Sequence, residues 1–143
     1  MKEKWIKEAE ERVYHYLHLG DGGFDENMHA HFECCDYDEQ TITIGFDTLK
    51  WQINERGAIH GGAIAGMFDT AFGIVANFVV GVNEATTTDM NISFLRGFEY
   101  GQHCNVKVYI VKAGRSLIRL RAEMICVETG KILATGSGSW MPL

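Results

Sequence analysis

The residues able to do chemistry are concentrated between Asn54 and Asp69. Asn54-Glu55-Arg56-Gly57-Ala58-Ile59-His60-Gly61-Gly62 reads as a polar loop ending in a histidine and two glycines. It runs directly into Ala63-Ile64-Ala65-Gly66-Met67-Phe68-Asp69-Thr70-Ala71-Phe72-Gly73, which is apolar on every side apart from one carboxylate. That pattern belongs to a buried helix, and an unpartnered carboxylate inside one is costly. At the helix start, Gly61 and Gly62 present backbone N–H groups without intrahelical acceptors, at the positive end of the helix dipole. Glycine also lets a substrate carbonyl come close to the backbone. These N–H groups suit an oxyanion hole, or the two glycines simply allow tight packing. Spacing alone leaves both readings open. Asp69 likewise reads as an acid/base or nucleophilic group, or as a structural carboxylate satisfied by hydroxyls such as that of Thr70.

Helix geometry constrains any joint role. Gly62 and Asp69 are seven residues apart, so they share a face but are separated by ~10.5 Å along the axis. A reacting carbon has to lie about 3 Å from both its nucleophile and its oxyanion donors. If both groups act, they therefore come from two chains whose helices lie side by side and antiparallel, and the site requires a dimer.

The remaining chain must position these groups. Its 143 residues are enough for one domain with a real core. Hydrophobic content of 46% with 22% charged residues is that of a soluble globular protein. A net charge of -6 without a Lys/Arg run argues against a nucleic-acid partner, while leaving room for a small anionic ligand. Cys34, Cys35, Cys104 and Cys126 show no Cys-x-x-Cys spacing, so reduced thiols in the cytoplasm are expected. His29, His31 and Cys34 lie close in sequence, but an alternating strand explains them better than a metal site, and no metal or cofactor is expected. Met1-Lys2-Glu3-Lys4 leads into a charged segment rather than a signal peptide. The apolar stretch from Ala63 to Val80 resembles a short membrane span, yet a helix wrapped inside a sheet explains it better, and no membrane is expected.

Taken in order, the chain begins with an amphipathic helix from about Lys2 to Leu19, inside an N-terminal segment of residues 1–22. Trp5, Ile6, Ala9, Val13, Tyr16 and Leu17 form its apolar stripe, and Gly20 to Gly23 end it. A hairpin follows, with strands Met28–Cys35 and Thr41–Phe46 and a turn at Asp36–Gln40. Thr41-Ile42-Thr43-Ile44 alternates as a half-buried strand does. After a connection from Asp47 to Arg56 comes the central helix over residues 60–80, and then the loop Gly81-Val82-Asn83-Glu84-Ala85. Strands follow at Thr86–Leu95, His103–Lys112, Leu117–Val127 and Ile132–Trp140. One sheet with one apolar face and one apolar helix bury each other only if the sheet curls around the helix. That is an α+β hotdog fold, a single domain over residues 1–143, in which the outer face is expected to be covered by a second subunit. Trp51, Phe72, Phe78 and Trp140 either line an acyl pocket or fill the core.

Asn54-x5-His60-Gly61-Gly62-x6-Asp69, followed by Thr87-Thr88-Asp89-Met90-Asn91-Ile92, resembles the phenylacetate-degradation type of hotdog thioesterase, within the 4-hydroxybenzoyl-CoA thioesterase-like superfamily. The resemblance runs from about Asn54 to Trp140. It implies a homodimer, or a dimer-of-dimers tetramer, that hydrolyses acyl-CoA thioesters at sites shared between subunits. It makes Asp69 the nucleophile or the general base on water, and Gly61 the oxyanion position with Asn54 and His60 alongside. The Asn54 amide can hold a water or the carbonyl; His60 either contacts substrate or only orders the loop. Thr87 stands where a hydroxyl often accompanies the acid. Gly62, Phe94, Leu95, Arg96, Lys112, Gly114, Arg115 and Ser116 correspond to CoA contacts. Arg96, Lys112 and Arg115 are the phosphate candidates, against the alternative of solvated surface charges. Gly97 stands where the family commonly has proline, and acidic Glu99 follows. The rivals are a non-catalytic acyl-CoA-binding module and a hotdog dehydratase. The dehydratase needs a histidine in a Pro-rich setting, whereas the one proline here is Pro142.

Overall fold

The computed structural model describes residues 1–81 and 85–143. Helix α1 (Lys2–Leu17) buries Ala9, Val13 and Tyr16 along one stripe. It stops short of the 1–22 segment because His18 leaves the helix at φ -121°, and Gly20 and Gly22 turn the chain at φ 71° and 66°. A single turn, α2 (Phe24–Asn27), follows without a counterpart in the sequence reading.

The first hairpin is β1 (His31–Asp36) and β2 (Thr41–Asp47). It begins later than expected because Met28 and Ala30 are instead buried in the core. Thr41 to Phe46 is buried on both faces rather than alternating. One reason is that the His31 and Glu33 side chains of β1 lie against β2 at Gly45, where a Cβ would meet the His31 ring and lie 2.8 Å from Glu33 Oε1.

Helix α3 (Gly61–Val80) opens at the His60 cap and closes on Gly81, at φ 89°. Residues Val82, Asn83 and Glu84 of the expected loop lie outside the described residues. Four strands complete the chain: β3 (Ala85–Phe94), β4 (His103–Ala113), β5 (Ile118–Cys126) and β6 (Ile132–Pro142). All six strands form one antiparallel sheet in the order β1-β2-β4-β5-β6-β3.

The sheet curls around α3, giving the hotdog arrangement. By length and composition α3 matches a membrane span, but eleven of its residues are buried in this core. Close approach to the helix is made at Gly136 of β6, where a Cβ would lie 2.9 Å from the Phe68 ring. Phe72 and Trp140 are core residues with ring centroids 4.8 Å apart. Phe78 is partly buried against Trp5, and Trp51 is exposed.

The outer face of the sheet, where a second subunit is expected, bears charged and polar side chains. It carries a Lys107–Glu39 pair at 2.8 Å, Arg121 stacked 3.7 Å from the Tyr109 ring, and Arg119 donating to Ser139 at 3.0 Å. Such groups are stable in water. The unpartnered feature is the edge of β3, which pairs only with β6 among the described residues and is largely exposed. The opposite edge, β1, lies against α1.

Candidate active site

At the start of α3, backbone hydrogen bonds fix the loop first. The N–H of His60 donates to Gln52 O and that of Ile59 to Phe98 O, both at 2.8 Å. His60 then caps the helix: its Nδ1 accepts from the Gly62 N–H at 2.8 Å. This bond requires a neutral imidazole with its proton on Nε2. The N–H of Gly62 is thereby occupied, so the expected pair of free donors narrows to one. The Gly61 N–H has no acceptor among the described residues. It opens into a pocket of ≈ 350 Å³ lined by Asn54, Arg56, Phe94, Leu95 and Arg96 among others. Asn54 is half-committed: its Oδ1 accepts from Arg56 N at 2.9 Å and Ala58 N at 3.2 Å, while its Nδ2 has no acceptor among the described residues.

Two turns along, Asp69 departs from the sequence expectation. It is exposed on the single chain, not buried. The reason is position: Asp69 lies on the same face of α3 as Gly66 and Gly73, and a side chain at Gly73 would meet nothing within 4 Å. Its partner is Thr87, whose hydroxyl donates to Asp69 Oδ1 at 3.0 Å. The neighbouring hydroxyl, Thr70, turns away to Asp25 Oδ1 at 2.7 Å. The hydroxyl bonded to Asp69 is therefore that of Thr87 and not that of Thr70. Asp69 and Thr87 line a second pocket, of ≈ 180 Å³, with Tyr16, Asp25, Asn77 and Trp140 among its walls. Burial pushes the Cys104 thiol well above its ordinary range, away from a nucleophilic thiolate.

The residues matched to CoA contacts separate along the sheet. Phe94, Leu95 and Arg96 close the end of β3 beside Gly61, where Leu95 N and Arg96 N both donate to Leu133 O. Lys112, Gly114, Arg115 and Ser116 lie at or beside the β4–β5 turn, closed by Gly114 N–H donating to Leu117 O at 3.0 Å. The register row Ala113, Ile118, Trp140, Thr87 runs from that turn to the Asp69 side of the sheet. One chain thus holds the Gly61 N–H with Arg96 at one end, and a carboxylate with Lys112 and Arg115 at the other. Where the sequence brings His29, His31 and Cys34 close together, His31 pairs with Glu33 at 2.9 Å.

Sequence reasoning missed Asp25 and Phe24. Phe24 rests on Gly66, where a Cβ would lie 2.6 Å from its ring, and this contact seats α2 against α3. Its sequence signal is a glycine inside a helix, but the spacing does not name the partner.

A family model described as the thioesterase superfamily matches residues 56–133, more than half of the chain. The chain belongs to the thioesterase superfamily. This superfamily member is 25% identical over 83 residues to acyl-coenzyme A thioesterase 13 of Mus musculus, covering 58% of this chain and 59% of that one. It is 29% identical over 87 residues to a Deinococcus radiodurans protein named as an esterase, covering 61% of this chain and 58% of that one. The chain thus spans under two thirds of the length of the curated relatives it matches. Among solved structures, it is similar in fold to the E. coli PaaI protein from the phenylacetic acid degradation operon. There the TM-score is 0.76 at 16% identity, covering 94% of this chain and 96% of that one. Thioesterase superfamily member 2 from Mus musculus gives a TM-score of 0.76 at 18% identity, covering 95% and 96%. At these identities the likeness is one of fold.

Proposed function

We propose that this chain is an acyl-CoA thioesterase of the cytoplasm that works as a homodimer or a dimer of dimers, with every site shared between two subunits. The observation that carries the reading is the pairing of a free helix-start N–H at Gly61 with a Thr-held carboxylate at Asp69 in separate pockets of one chain. The two are ~12 Å apart along the helix at ~1.5 Å per residue, too far to act on one carbonyl. The exposed β3 edge supports antiparallel pairing with a second β3. That arrangement lays the Gly61 end of one chain over the Asp69 end of the other, and brings Arg96 of one toward Lys112 and Arg115 of the other, where CoA phosphates need cations.

In such a site the thioester oxygen accepts from Gly61 N–H and Asn54 Nδ2, donors aimed before the reaction begins. Asp69 either removes a proton from water, whose oxygen then attacks the carbonyl, or attacks directly to give a mixed anhydride that water opens. Either way the C–S bond breaks, CoA leaves as thiolate, and a proton from the attacking water ends on its sulfur. Thr87 holds Asp69 in position.

Release of free thiol from a panel of acyl-CoAs tests the reading. Asp69→Asn should lower kcat by roughly 10²–10⁴-fold with an unchanged circular-dichroism spectrum. Full activity in that variant rejects it. Acyl-CoA binding without turnover by the unaltered protein leaves the binding-module alternative.

A further inference from the structure

Thr87 of β3 bonds the Asp69 carboxylate itself, but the helix turn that carries Asp69 is gripped by α2. Gly66, Asp69, Thr70 and Gly73 follow the i, i+3, i+4, i+7 spacing of one helix face. Helix α2 touches that face on either side of Asp69. Before it, the Phe24 ring occupies the place of a side chain at Gly66, where a Cβ would lie 2.6 Å from the ring. After it, the Thr70 hydroxyl donates to Asp25 Oδ1 at 2.7 Å. Asp25 and Asp69 both line the ≈ 180 Å³ pocket. A helix as short as α2 is not stable by itself, and local hydrogen bonds secure it. Asn27 Nδ2 donates to Gly22 O and Gly23 O, both at 2.8 Å, Gly23 N–H donates to Asp21 Oδ1 at 2.8 Å, and Gly22 N–H donates to Glu26 Oε1 at 3.2 Å.

The Thr70 bond matters for what it replaces. Thr70 is 2% exposed, and a buried hydroxyl must find an acceptor. Inside a helix the acceptor nearest to hand is the carbonyl four residues back, and a threonine that bonds there bends the helix. For Thr70 that carbonyl belongs to Gly66, and glycine holds helical backbone worse than any residue except proline. The bend would fall between Gly66 and Thr70, in the turn that contains Asp69. Asp25 removes this option by offering a carboxylate, which accepts shorter and stronger bonds than a neutral carbonyl. We propose that Asp25 is a positioning residue: by accepting the Thr70 proton it holds the Asp69 turn of α3 in the geometry that the proposed reaction needs. Asp25 acts through Thr70 and touches no reacting atom. The tolerance is small, since misplacing a reacting group by about 1 Å can cost about 10²-fold in rate. The inference rests on the thioesterase reading and adds a residue to it.

The test measures thiol release, with the best acyl-CoA of the panel, and Tm for Asp25→Ala, Asp25→Asn, Thr70→Val and the double variant Asp25→Ala/Thr70→Val. Asp25→Ala removes the acceptor and returns the Thr70 hydroxyl to Gly66 O. It should lower kcat by about tenfold with KM little changed. Asp25→Asn keeps an oxygen that accepts and should keep kcat close to that of the unaltered protein. Thr70→Val keeps the branched shape without the hydroxyl, and water replaces it at the half-buried Asp25; kcat should again be close to unaltered. In the double variant no hydroxyl is left to bend the helix, so kcat should return to the level of Thr70→Val, even with a lowered Tm. A clasp that served stability alone predicts the reverse, a loss in Thr70→Val and no recovery in the double variant. That pattern overturns the inference, as does an unaltered kcat in Asp25→Ala or an equal loss in Asp25→Asn. If Asp25→Ala does not fold, Thr70→Val and Asp25→Asn carry the test, and lost kcat in either overturns the inference. These outcomes leave the thioesterase reading standing. No thiol release by the unaltered protein from any acyl-CoA rejects that reading and this inference with it.

Discussion

At the His60 end of α3, nearly every polar group is spent on the fold, whereas at the Asp69 end polar groups are left over. Gly62 N–H goes to His60 Nδ1, Asn54 Oδ1 ties down its own loop, and among the described residues the Gly61 N–H is left without an acceptor. At the other end, again among the described residues, Asp69 has one protein donor, Asp25 has one, and Trp140 Nε1 has no partner. The difference matches what the proposed function asks of each end. An oxyanion donor works only if it is aimed before the charge develops, so its surroundings must be rigid and internally satisfied. A carboxylate that exchanges protons or bonds, beside a pocket that admits a variable group, needs unspent hydrogen-bonding capacity.

Removing the reactive group from each end in turn breaks this comparison most directly. Asp69→Asn removes the proposed reacting group and should carry the largest loss, as set out above. Gly61→Pro is its counterpart. Proline is favoured at the first helical position, where its missing N–H takes nothing from the helix. His60, at φ -62° and ψ 139°, already has the extended backbone that a following proline demands. A Cβ at residue 61 would meet only the Phe94 ring, at an ordinary 3.8 Å. The substitution should therefore delete one donor and leave the fold alone, lowering kcat by roughly 10²–10³-fold. Mixing unfolded Asp69→Asn and Gly61→Pro chains in equal amounts and refolding them then tests the sharing of the site. If each site takes one end from each subunit, half the dimers are mixed and each carries one intact site, restoring about a quarter of the unaltered activity. If both ends act within one chain, mixing restores nothing.

The same contrast explains what was legible in the sequence. The cap end was readable because its chemistry is local: His60, Gly61 and Gly62 are adjacent, and helix starts have a known pattern of unpaired donors. The order of elements was readable from apolar periodicity, and the strand boundaries moved by only a few residues. The exposure of Asp69 was not readable. An all-apolar helix suggests burial on every side, and only the three-dimensional placement of the sheet shows which face lacks cover. Asp25 was invisible for a related reason, since it reaches Thr70 across 45 positions of chain, through a one-turn helix that has no periodicity to detect. Thr87 lay between, as a hydroxyl of the right type whose 3.0 Å bond to Asp69 only the β3–α3 packing could establish.

That bond gives a smaller prediction on the carboxylate side. Thr87→Val keeps the branched shape that suits a strand and removes the donor to Asp69. Hydrogen bonds to charged groups contribute about 1.5–3 kcal/mol, and partial exposure of this one points to the low end. The expected result is a drop in kcat of about tenfold with KM little changed, restored by Thr87→Ser. An unchanged kcat would mean that the Asp69 end is held by something other than Thr87, and the contrast with the rigid cap would lose one of its supports.

The smallest effect comes from a pair outside both ends, and it separates pH dependence of the site from pH dependence of the fold. His103 Nδ1 lies 2.6 Å from Glu128 Oε2, and its Nε2 lies 3.6 Å from Asp47. The hydrogen bond to Glu128 raises the His103 pKa above its ordinary 6.5, and the same bond holds Glu128 down at about 2 against an ordinary 4.5. A raised histidine stabilises fully below its unfolded value and loses that contribution as pH rises through the folded one. A depressed glutamate stabilises above its unfolded value and loses that contribution as pH falls toward the folded one. The pair is therefore at full strength between pH 4.5 and 6.5 and weakens on both sides. The Tm difference between the unaltered protein and Glu128→Gln should peak in that window. It should shrink in high salt, since both side chains are well exposed. A residual difference should persist at high pH, where the His103 backbone N–H still donates to Glu128 Oε1 at 2.8 Å. Thiol release by Glu128→Gln near neutral pH should match that of the unaltered protein. If its activity instead follows the Tm profile, the pH response of turnover belongs to the scaffold and not to Asp69.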